Sequence, residues 1–398
     1  MDGVALPDVS AGEHFAAECG HGARQWHVPP DRSRRSARQC DRGRRFGTPH
    51  PKDNYWRRLL YGHEDRTFEK RLDVSFAFLP SYAWETGLGL GGMATGLYRL
   101  DRTDSLMPPS DAMLSGSVTL RGAYLLTAEG HNYFKGRRSR LSWLVSLQNK
   151  PLDFWGISRA ACDVNPVIAY TRRQVQTRLH YQYEPLRHLF VGARIDLRYV
   201  RAVSIDDPAY LLGQRTAYLN TGVGVSLEYD SRDFIPNPRR GVYLSVCQSV
   251  YPAGLGNYGR TLWRTTVTAD YYQPVWRGGL LAFDLYGCFG SDDLPWTLRE
   301  QLGGRWRMRG YYEGRYTDNH LVAAQVELRQ SITRRLGVVV WYGGGTVFSG
   351  FDQLRWGDLL PTYGVGIRFE FKHNINLRVD YGFGRQSGGV VFSMGEAF

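Results

Sequence analysis

The chain has 398 residues, of which 50 are basic and 38 acidic, so its formal net charge is +12. No apolar run approaches the roughly 20 residues that a membrane-spanning helix requires, which excludes a helical membrane protein. The mean hydropathy is below zero, but transmembrane barrels are also polar on average because their strands alternate lipid-facing and lumen-facing side chains. Composition therefore leaves two classes, a large soluble β protein and an outer-membrane barrel.

The basic charge does not indicate a nucleic-acid partner. Apart from a cluster in residues 32–45, the arginines fall singly within alternating segments. The five cysteines form no CxxC pair, and the group Cys19, His21, His27 and Cys40 matches no standard zinc-finger spacing. We therefore expect no nucleic acid, no metal site and no cofactor.

The chain divides into three regions by composition. Residues 1–52 are rich in Arg, His, Pro, Gly and Ser without apolar periodicity, which predicts a disordered or non-native stretch. They contain no secretory signal pattern, so either the true start is missing or replaced, or export does not use the Sec route. Residues 53–71 are predicted to be a periplasmic lead-in, for which a short helix and an ordered extended segment are the two alternatives. Residues 72–398 are predicted to form the barrel.

Period-two alternation bounded by turn residues begins at residue 72 and is typical of strands. Sixteen segments fit this pattern: 72–83, 86–100, 113–127, 141–149, 155–162, 174–183, 189–202, 217–229, 241–251, 261–275, 280–290, 321–332, 337–348, 363–372, 375–384 and 390–398. An even number of strands returns both ends of a barrel to the same side of the membrane.

The two faces of the last strands favour a barrel over a soluble sandwich. Tyr363, Val365 and Ile367 would face one side, whereas Arg368 and Glu370 would face the other. A water-filled lumen and a lipid-facing exterior with aromatic girdles account for both faces.

Connection lengths give a second argument for a barrel. Short connections are predicted on one side, at residues 184–188, 276–279, 333–336 and 373–374. Long connections are predicted on the other side, at residues 128–140, 203–216, 291–320 and 349–362. Outer-membrane barrels have short periplasmic turns and longer extracellular loops. Two connections depart from this rule, because residues 101–112 and 230–240 are long on the short side.

The stretch at residues 305–316, RWRMRGYYEGRY, is too polar for a lipid-facing strand and too aromatic for an ordinary solvated loop. We interpret it as a long loop that is folded into the barrel. Counting back in twos from Phe398 gives Glu396, Met394 and Phe392, so the segment 390–398 ends as an alternating strand with an aromatic residue. A charge at Glu396 would cost little at the membrane edge, roughly 0–1 kcal/mol.

These features resemble the BamA/TamA-type outer-membrane assembly barrels, the bacterial surface antigen superfamily. Met308-Arg309-Gly310-Tyr311 resembles the family's loop-six motif of a hydrophobic residue, Arg, Gly and an aromatic, and five predicted strands follow it. Residues 395–398 are similar to the family's closing Gly-x-x-aromatic, and residues 229–244 to its strand–turn–strand with Asp, Arg, Pro and Gly. The resemblance implies an all-β, 16-stranded antiparallel transmembrane β-barrel with an inward-folded sixth extracellular loop, located in the bacterial outer membrane.

The resemblance also implies the site residues. Arg309 would bind Glu327 on the next strand, Gly310 would permit close backbone approach, and Tyr311 would stack or hydrogen-bond in the lumen. The family's second acidic partner of the arginine is replaced by Gly343, so a single carboxylate is expected to hold Arg309. The C-terminal barrel signal would comprise the residues Phe392, Met394, Gly395 and Phe398.

The resemblance implies outer-membrane protein assembly, insertion or translocation through a seam between the first and last strands. The alternative is a structural or pore-forming barrel that serves an envelope complex. The sequence before residue 72 is too short for the family's usual POTRA modules, so a POTRA-less subgroup with a separate periplasmic or envelope protein partner is expected. Outer-membrane lipid and lipopolysaccharide are the other expected partners. We expect no enzyme, because Ser231 has no GxSxG elbow and the histidines form no HExxH.

Overall fold

The computed structural model describes residues 71–83, 85–101, 109–134, 138–235, 237–256, 258–372 and 375–398. The predicted regions 1–52 and 53–71 lie outside these residues except for Arg71. The described residues form eighteen strands: β1 (Asp73–Ala83), β2 (Gly87–Tyr98), β3 (Ser110–Thr119), β4 (Tyr124–Tyr133), β5 (Ser139–Phe154), β6 (Ile168–Leu186), β7 (Leu189–Val203), β8 (Ala217–Asp230), β9 (Gly241–Tyr251), β10 (Leu262–Trp276), β11 (Gly279–Gly290), β12 (Glu300–Leu302), β13 (Tyr316–Asp318), β14 (His320–Ser331), β15 (Leu336–Phe348), β16 (Leu360–Lys372), β17 (Ile375–Gly384) and β18 (Ser387–Met394).

Sixteen of these strands form one antiparallel sheet. Its strand order is β1 to β11 followed by β14 to β18, and β11 pairs with β14. The short strands β12 and β13 pair only with each other. Cα atoms of β1 come within 8 Å of Cα atoms of β18, so the two edges of the sheet face each other. Between the described residues of these two strands there is no hydrogen-bonded ladder.

The helical elements are short and lie between strands. Helix α1 (Arg159–Val164) follows β5, and three 3-10 turns follow β7 and β15, at Pro208–Leu211, Phe351–Gln353 and Trp356–Asp358. In the part of the chain that the structure describes, none of the helices combines the length and the apolar character needed to cross a bilayer.

The sheet has apolar side chains outside and charged side chains inside. On β16, Val365 and Ile367 are 55% and 54% exposed, whereas Arg368 on the same strand is buried. On β17, Arg378 and Asp380 are fully buried. A soluble protein has the reverse arrangement, because it buries apolar side chains and exposes charged ones. The predicted division into a lipid-facing exterior and a polar lumen is therefore present, and the predicted 16-stranded antiparallel fold is confirmed.

Two of the predicted segments are wrong, and their errors cancel in the count. The segment 113–127 runs through the turn that separates β3 from β4, and most of the predicted loop 128–140 is strand. The segment 155–162 is not a strand, because Ser158 caps α1 by accepting a hydrogen bond from the backbone N–H of Ala161 at 3.2 Å. The apolar residues of this segment pack against the loops above the lumen. Their positions are determined by this packing and not by alternation along a strand.

The connections fall into two groups on opposite ends of the barrel. On one end, which we name the turn side, residues 187–188, 277–278 and 332–335 join strands by tight turns. The predicted turn 373–374 lies outside the described residues. On the other end, the loop side, long connections include residues 204–216 and 291–319. Residues 291–319 form the sixth loop-side connection and carry β12 and β13; we call them loop 6.

Loop 6 is held beneath the other loops by apolar packing and hydrogen bonds. Trp296 is fully buried and packs in a cluster with residues of β5, β6 and β7. The Tyr312 hydroxyl accepts a hydrogen bond from the backbone N–H of Asp153 at 3.0 Å, and Asp318 accepts one from the backbone N–H of Arg159 at 2.9 Å. These contacts fix the loop within the lumen.

The reactivity of the Cys162 thiol tests how tightly loop 6 and the other loops pack together. Its side chain is fully buried in α1, and burial raises the pKa of the thiol to about 11. The reactive thiolate is then scarce at pH 7.5. We expect Cys162 to remain unmodified by a maleimide in the folded barrel and to react after heat denaturation, as measured by peptide mass spectrometry. Rapid modification in the folded barrel would show that the loops are not packed as described.

Candidate functional site: the loop 6 anchor

The tip of loop 6 is a tight turn pressed against the barrel wall. Met308 has a left-handed φ of 53°, Gly310 has a φ of 103°, and the backbone N–H of Tyr311 donates to the Met308 carbonyl at 3.2 Å. A Cβ atom added to Gly310 would lie 2.6 Å from the backbone of Phe383 on β17. Only glycine permits both the conformation and the contact.

Arg309 occupies the centre of this contact. Its Nη1 donates to Asp380 on β17 at 2.8 Å, and its Nη2 donates to Glu327 on β14. The guanidinium lies 3.8 Å from the ring centroid of Trp341 on β15. The side chains of the arginine and of both carboxylates have no solvent exposure. Burial on this scale makes each ion pair dependent on its partners, because an uncompensated buried charge is costly.

The expectation that one carboxylate holds Arg309 is wrong. Gly343 lies opposite Gln325 in the pairing of β14 with β15, and a Cβ there would lie 2.7 Å from the Gln325 Cβ. The second carboxylate comes instead from Asp380, two strands further along the sheet from β15. The sequence contained a signal for this second carboxylate, because Asp380 and Arg378 both lie on the polar face of their strand.

The remaining anchor residues bind the backbone around the tip. The Tyr311 hydroxyl donates to the Pro361 carbonyl at 2.8 Å and accepts from the backbone N–H of Arg385 at 2.6 Å. The Ser387 hydroxyl donates to the Gly310 carbonyl at 2.7 Å. Loop 6 is therefore tied to β16 and to the hairpin of β17 and β18, next to the β18 edge of the sheet.

The ion pairs of Arg309 belong to a closed ring of six alternating charges. Glu327 accepts from Arg329 at 2.8 Å, and Arg329 lies 3.8 Å from Glu396. Glu396 accepts from Arg368 at 2.8 Å, and Arg368 in turn donates to Asp380. We call this set the charge ring; its members are Arg309, Glu327, Arg329, Glu396, Arg368 and Asp380. It joins loop 6 to three strands and to the residues that follow β18.

Those residues turn into the lumen. Strand β18 ends at Met394, Gly395 takes a φ of 80°, and Phe398 is 6% exposed in a cluster with Tyr272 and Leu280. The Phe398 carbonyl accepts from Arg329 Nη2 at 3.0 Å. The predicted strand 390–398 is therefore too long, and Glu396 lies in the lumen rather than at the membrane edge. Its carboxylate needs partners in a buried position, and two arginines supply them.

The predicted C-terminal signal residues are thus divided between two structures. Phe392 and Met394 lie on β18, where they pair in register with Val379 and Leu377 of β17. Gly395 makes the bend, and Phe398 lies inside the barrel. Within the described residues, no group of His, Cys, Asp and Glu is arranged to hold a metal ion, and the group Cys19, His21, His27 and Cys40 lies outside them.

Neutralising each acidic partner separately tests whether both hold Arg309. We expect Glu327→Gln and Asp380→Asn each to lower the temperature at which the compact form is lost, since each removes one partner of a buried arginine at a cost of about 3–5 kcal/mol. The measurement is the gel mobility of samples heated stepwise in detergent. If Asp380→Asn melts like the unmodified barrel, the second carboxylate does not anchor the loop.

Solved structures of outer-membrane barrels are similar in fold to this chain. BamA of Haemophilus ducreyi lacking POTRA domains 1–3 is 13% identical, with a TM-score of 0.55 over 82% of this chain and 69% of that one. CdiB of Acinetobacter baumannii is 12% identical, with a TM-score of 0.53 over 83% of this chain and 66% of that one. CdiB of Escherichia coli is 12% identical, with a TM-score of 0.55 over 82% of this chain and 63% of that one.

None of the curated proteins matches the sequence of this chain. The domain model of the Omp85 superfamily matches residues 123–398, from just before β4 to the last residue. The matched region contains loop 6, its anchor and the charge ring. This chain belongs to the Omp85 superfamily and is an outer-membrane β-barrel.

Proposed function

We propose that this barrel inserts or translocates polypeptides at the outer membrane, acting in outer-membrane protein assembly or in secretion. The observation that carries the proposal is the position of the anchored loop 6 tip beside the open edge of the sheet. The tip binds the hairpin of β17 and β18, and no hydrogen-bonded ladder joins the described residues of β18 to those of β1. An unpaired strand edge is a template on which another strand can pair.

The composition of the strands at the seam supports a labile junction. The edge strand β18 begins with Ser387, Gly388 and Gly389, and β2, which pairs with the other edge strand β1, reads GLGLGGMATGLY. Glycine within a strand weakens it, because it has no side chain to pack and loses more conformational entropy on folding. The seam is therefore flanked by glycine-containing strands of 8 and 12 residues, β18 and β2, whereas β5, β6 and β7 are 16, 19 and 15 residues long.

The proposal includes partners. A periplasmic or envelope protein would deliver the polypeptide in place of POTRA modules, and outer-membrane lipid and lipopolysaccharide would surround the barrel. It involves no enzyme chemistry, since the work is strand exchange and passage and not bond cleavage.

Depletion followed by quantitative envelope proteomics tests the function. We expect depletion to reduce the abundance of at least one other outer-membrane or secreted protein. Complementation with Arg305→Glu, a substitution at an exposed position of loop 6, should restore that abundance, whereas Arg309→Glu should not. An envelope proteome unchanged by depletion would refute the proposal.

The alternative function, a pore for small solutes, is supported by a cavity in the lumen. The cavity of about 290 Å³ lies between loop 6 and the wall formed by β4, β5 and β6, and polar side chains such as Glu129, Gln176 and Glu300 line it. Steady conductance in planar bilayers that is the same in barrels with and without the Arg309 anchor would favour the pore.

A further inference from the structure

A second cleft opens at the turn side of the barrel, away from loop 6. It has a volume of about 170 Å³ and lies between the turns that join β10 to β11 and β14 to β15. We call it the turn-side cleft. The lining residues that matter here are Arg239, Trp276, Arg329, Arg334, Arg335 and Arg368.

The cleft is basic. Its lining contains five arginines and two glutamates, Glu370 and Glu396; counting Glu327 and Asp380, which contact Arg329 and Arg368, five cations face four carboxylates and one positive charge is in excess. Glu396 is already engaged, since its carboxylate accepts from Arg368 at 2.8 Å and from Asn376 at 2.6 Å. The excess of positive charge over a small concave surface favours an anion.

The floor of the cleft contains unused hydrogen-bond donors. Arg329 and Arg368 are 7% and 4% exposed. Within the described residues, Nη1 of Arg329 and Nη2 of Arg368 are buried without a hydrogen-bond partner. A buried guanidinium N–H group left unpaired costs free energy. An oxyanion at the floor of the cleft would lie beside both guanidinium groups, whose positive charge attracts it.

The mouth of the cleft lies where the barrel meets the lipid surface. Arg239 and Arg334 are exposed there. The neighbouring apolar residues Trp276 and Ile332 are 56% and 57% exposed on the outer side. Exposed aromatic and aliphatic residues beside arginine are typical of the level at which lipid headgroups contact a membrane protein.

We propose that the turn-side cleft binds a phosphate group, with Arg329 and Arg368 as the floor and Arg239 and Arg334 at the mouth. Its volume of about 170 Å³ is well above the space that one water molecule needs, so a phosphate group can enter. The phosphate of an anionic phospholipid headgroup and free inorganic phosphate share this chemistry. The site goes beyond the proposed function and does not depend on it.

The test uses the full chain purified in a non-ionic detergent. Equilibrium dialysis with radiolabelled inorganic phosphate measures the free anion, and lipid retained after transfer to nanodiscs of phosphatidylglycerol or phosphatidylcholine measures the headgroup. We expect saturable binding of at least one anionic probe and about tenfold weaker binding by the double variant Arg239→Gln and Arg334→Gln. Both replaced residues are exposed, so the variant is expected to fold.

The matched control replaces two exposed loop-side arginines, Arg215→Gln and Arg355→Gln, and should bind like the unmodified chain. Binding of inorganic phosphate identifies the free anion as sufficient, and retention of phosphatidylglycerol alone identifies the headgroup. Equal retention of phosphatidylcholine, equal binding by the two double variants, or no binding of either anionic probe would overturn the proposal.

Discussion

Arg309→Glu is expected to remove most of the compact, heat-resistant form of the barrel. The substitution withdraws the loop 6 cation that contacts both Glu327 and Asp380 and places a third carboxylate between them. Loss of one partner from a buried ion pair costs about 3–5 kcal/mol, and two pairs are lost here together with the contact to Trp341. Mobility of unheated samples in semi-native gels measures the compact fraction.

The control for this charge reversal lies four residues away in the same loop. Arg305 has an exposed side chain, so Arg305→Glu makes the same change of charge without breaking a buried pair. We expect its compact fraction to match that of the unmodified barrel. If Arg309→Glu and Arg305→Glu migrate alike, the anchor does not hold the barrel together, and the ion pairs of the loop tip are of little consequence to stability.

Gly310→Ala is expected to undock the tip of loop 6. A Cβ at this position would lie 2.6 Å from the backbone of Phe383, and backbone atoms of a paired strand cannot move aside cheaply. The backbone conformation, with φ at 103°, adds strain of about 1–3 kcal/mol for a residue other than glycine. Protease protection of loop 6 and the melting temperature of the compact form should both fall.

Gly304 separates strain from collision. Its φ of 108° nearly equals that of Gly310, but a Cβ there would meet only the side chain of Glu313, at 3.8 Å. Gly304→Ala therefore introduces the conformational cost without the clash. We expect a small decrease in stability for Gly304→Ala and a much larger one for Gly310→Ala. Equal decreases would show that close approach to β17 does not determine the loop's position.

Much of this fold was predictable because strand alternation is a local property. Val365 and Ile367 on one face and Arg368 on the other are visible in the sequence, and the structure places them outside and inside the barrel as expected. The position of loop 6 followed from the motif at residues 308–311 and from the five strands after it.

The remainder depends on contacts between distant parts of the chain. Residues 155–162 alternate like a strand, but the packing of loop 6 against them decides that they form a loop and a helix. Asp380 is one of several acidic residues on polar faces, and its pairing with Arg309 depends on where the tip of loop 6 lies in the lumen. The inward turn after Gly395 likewise depends on Arg329 and Arg368, which lie 66 and 27 positions earlier in the sequence.

The charge ring has a consequence that a linear series of ion pairs would not have. Two separate routes lead from Arg309 to Glu396, one through Glu327 and Arg329 and the other through Asp380 and Arg368. Interrupting one route leaves the loop and the end of the chain linked by the other. The attachment is therefore redundant, and it tolerates single neutral substitutions at a cost. When both routes are cut together, as in Glu327→Gln with Asp380→Asn, the loss should exceed the sum of the two single losses.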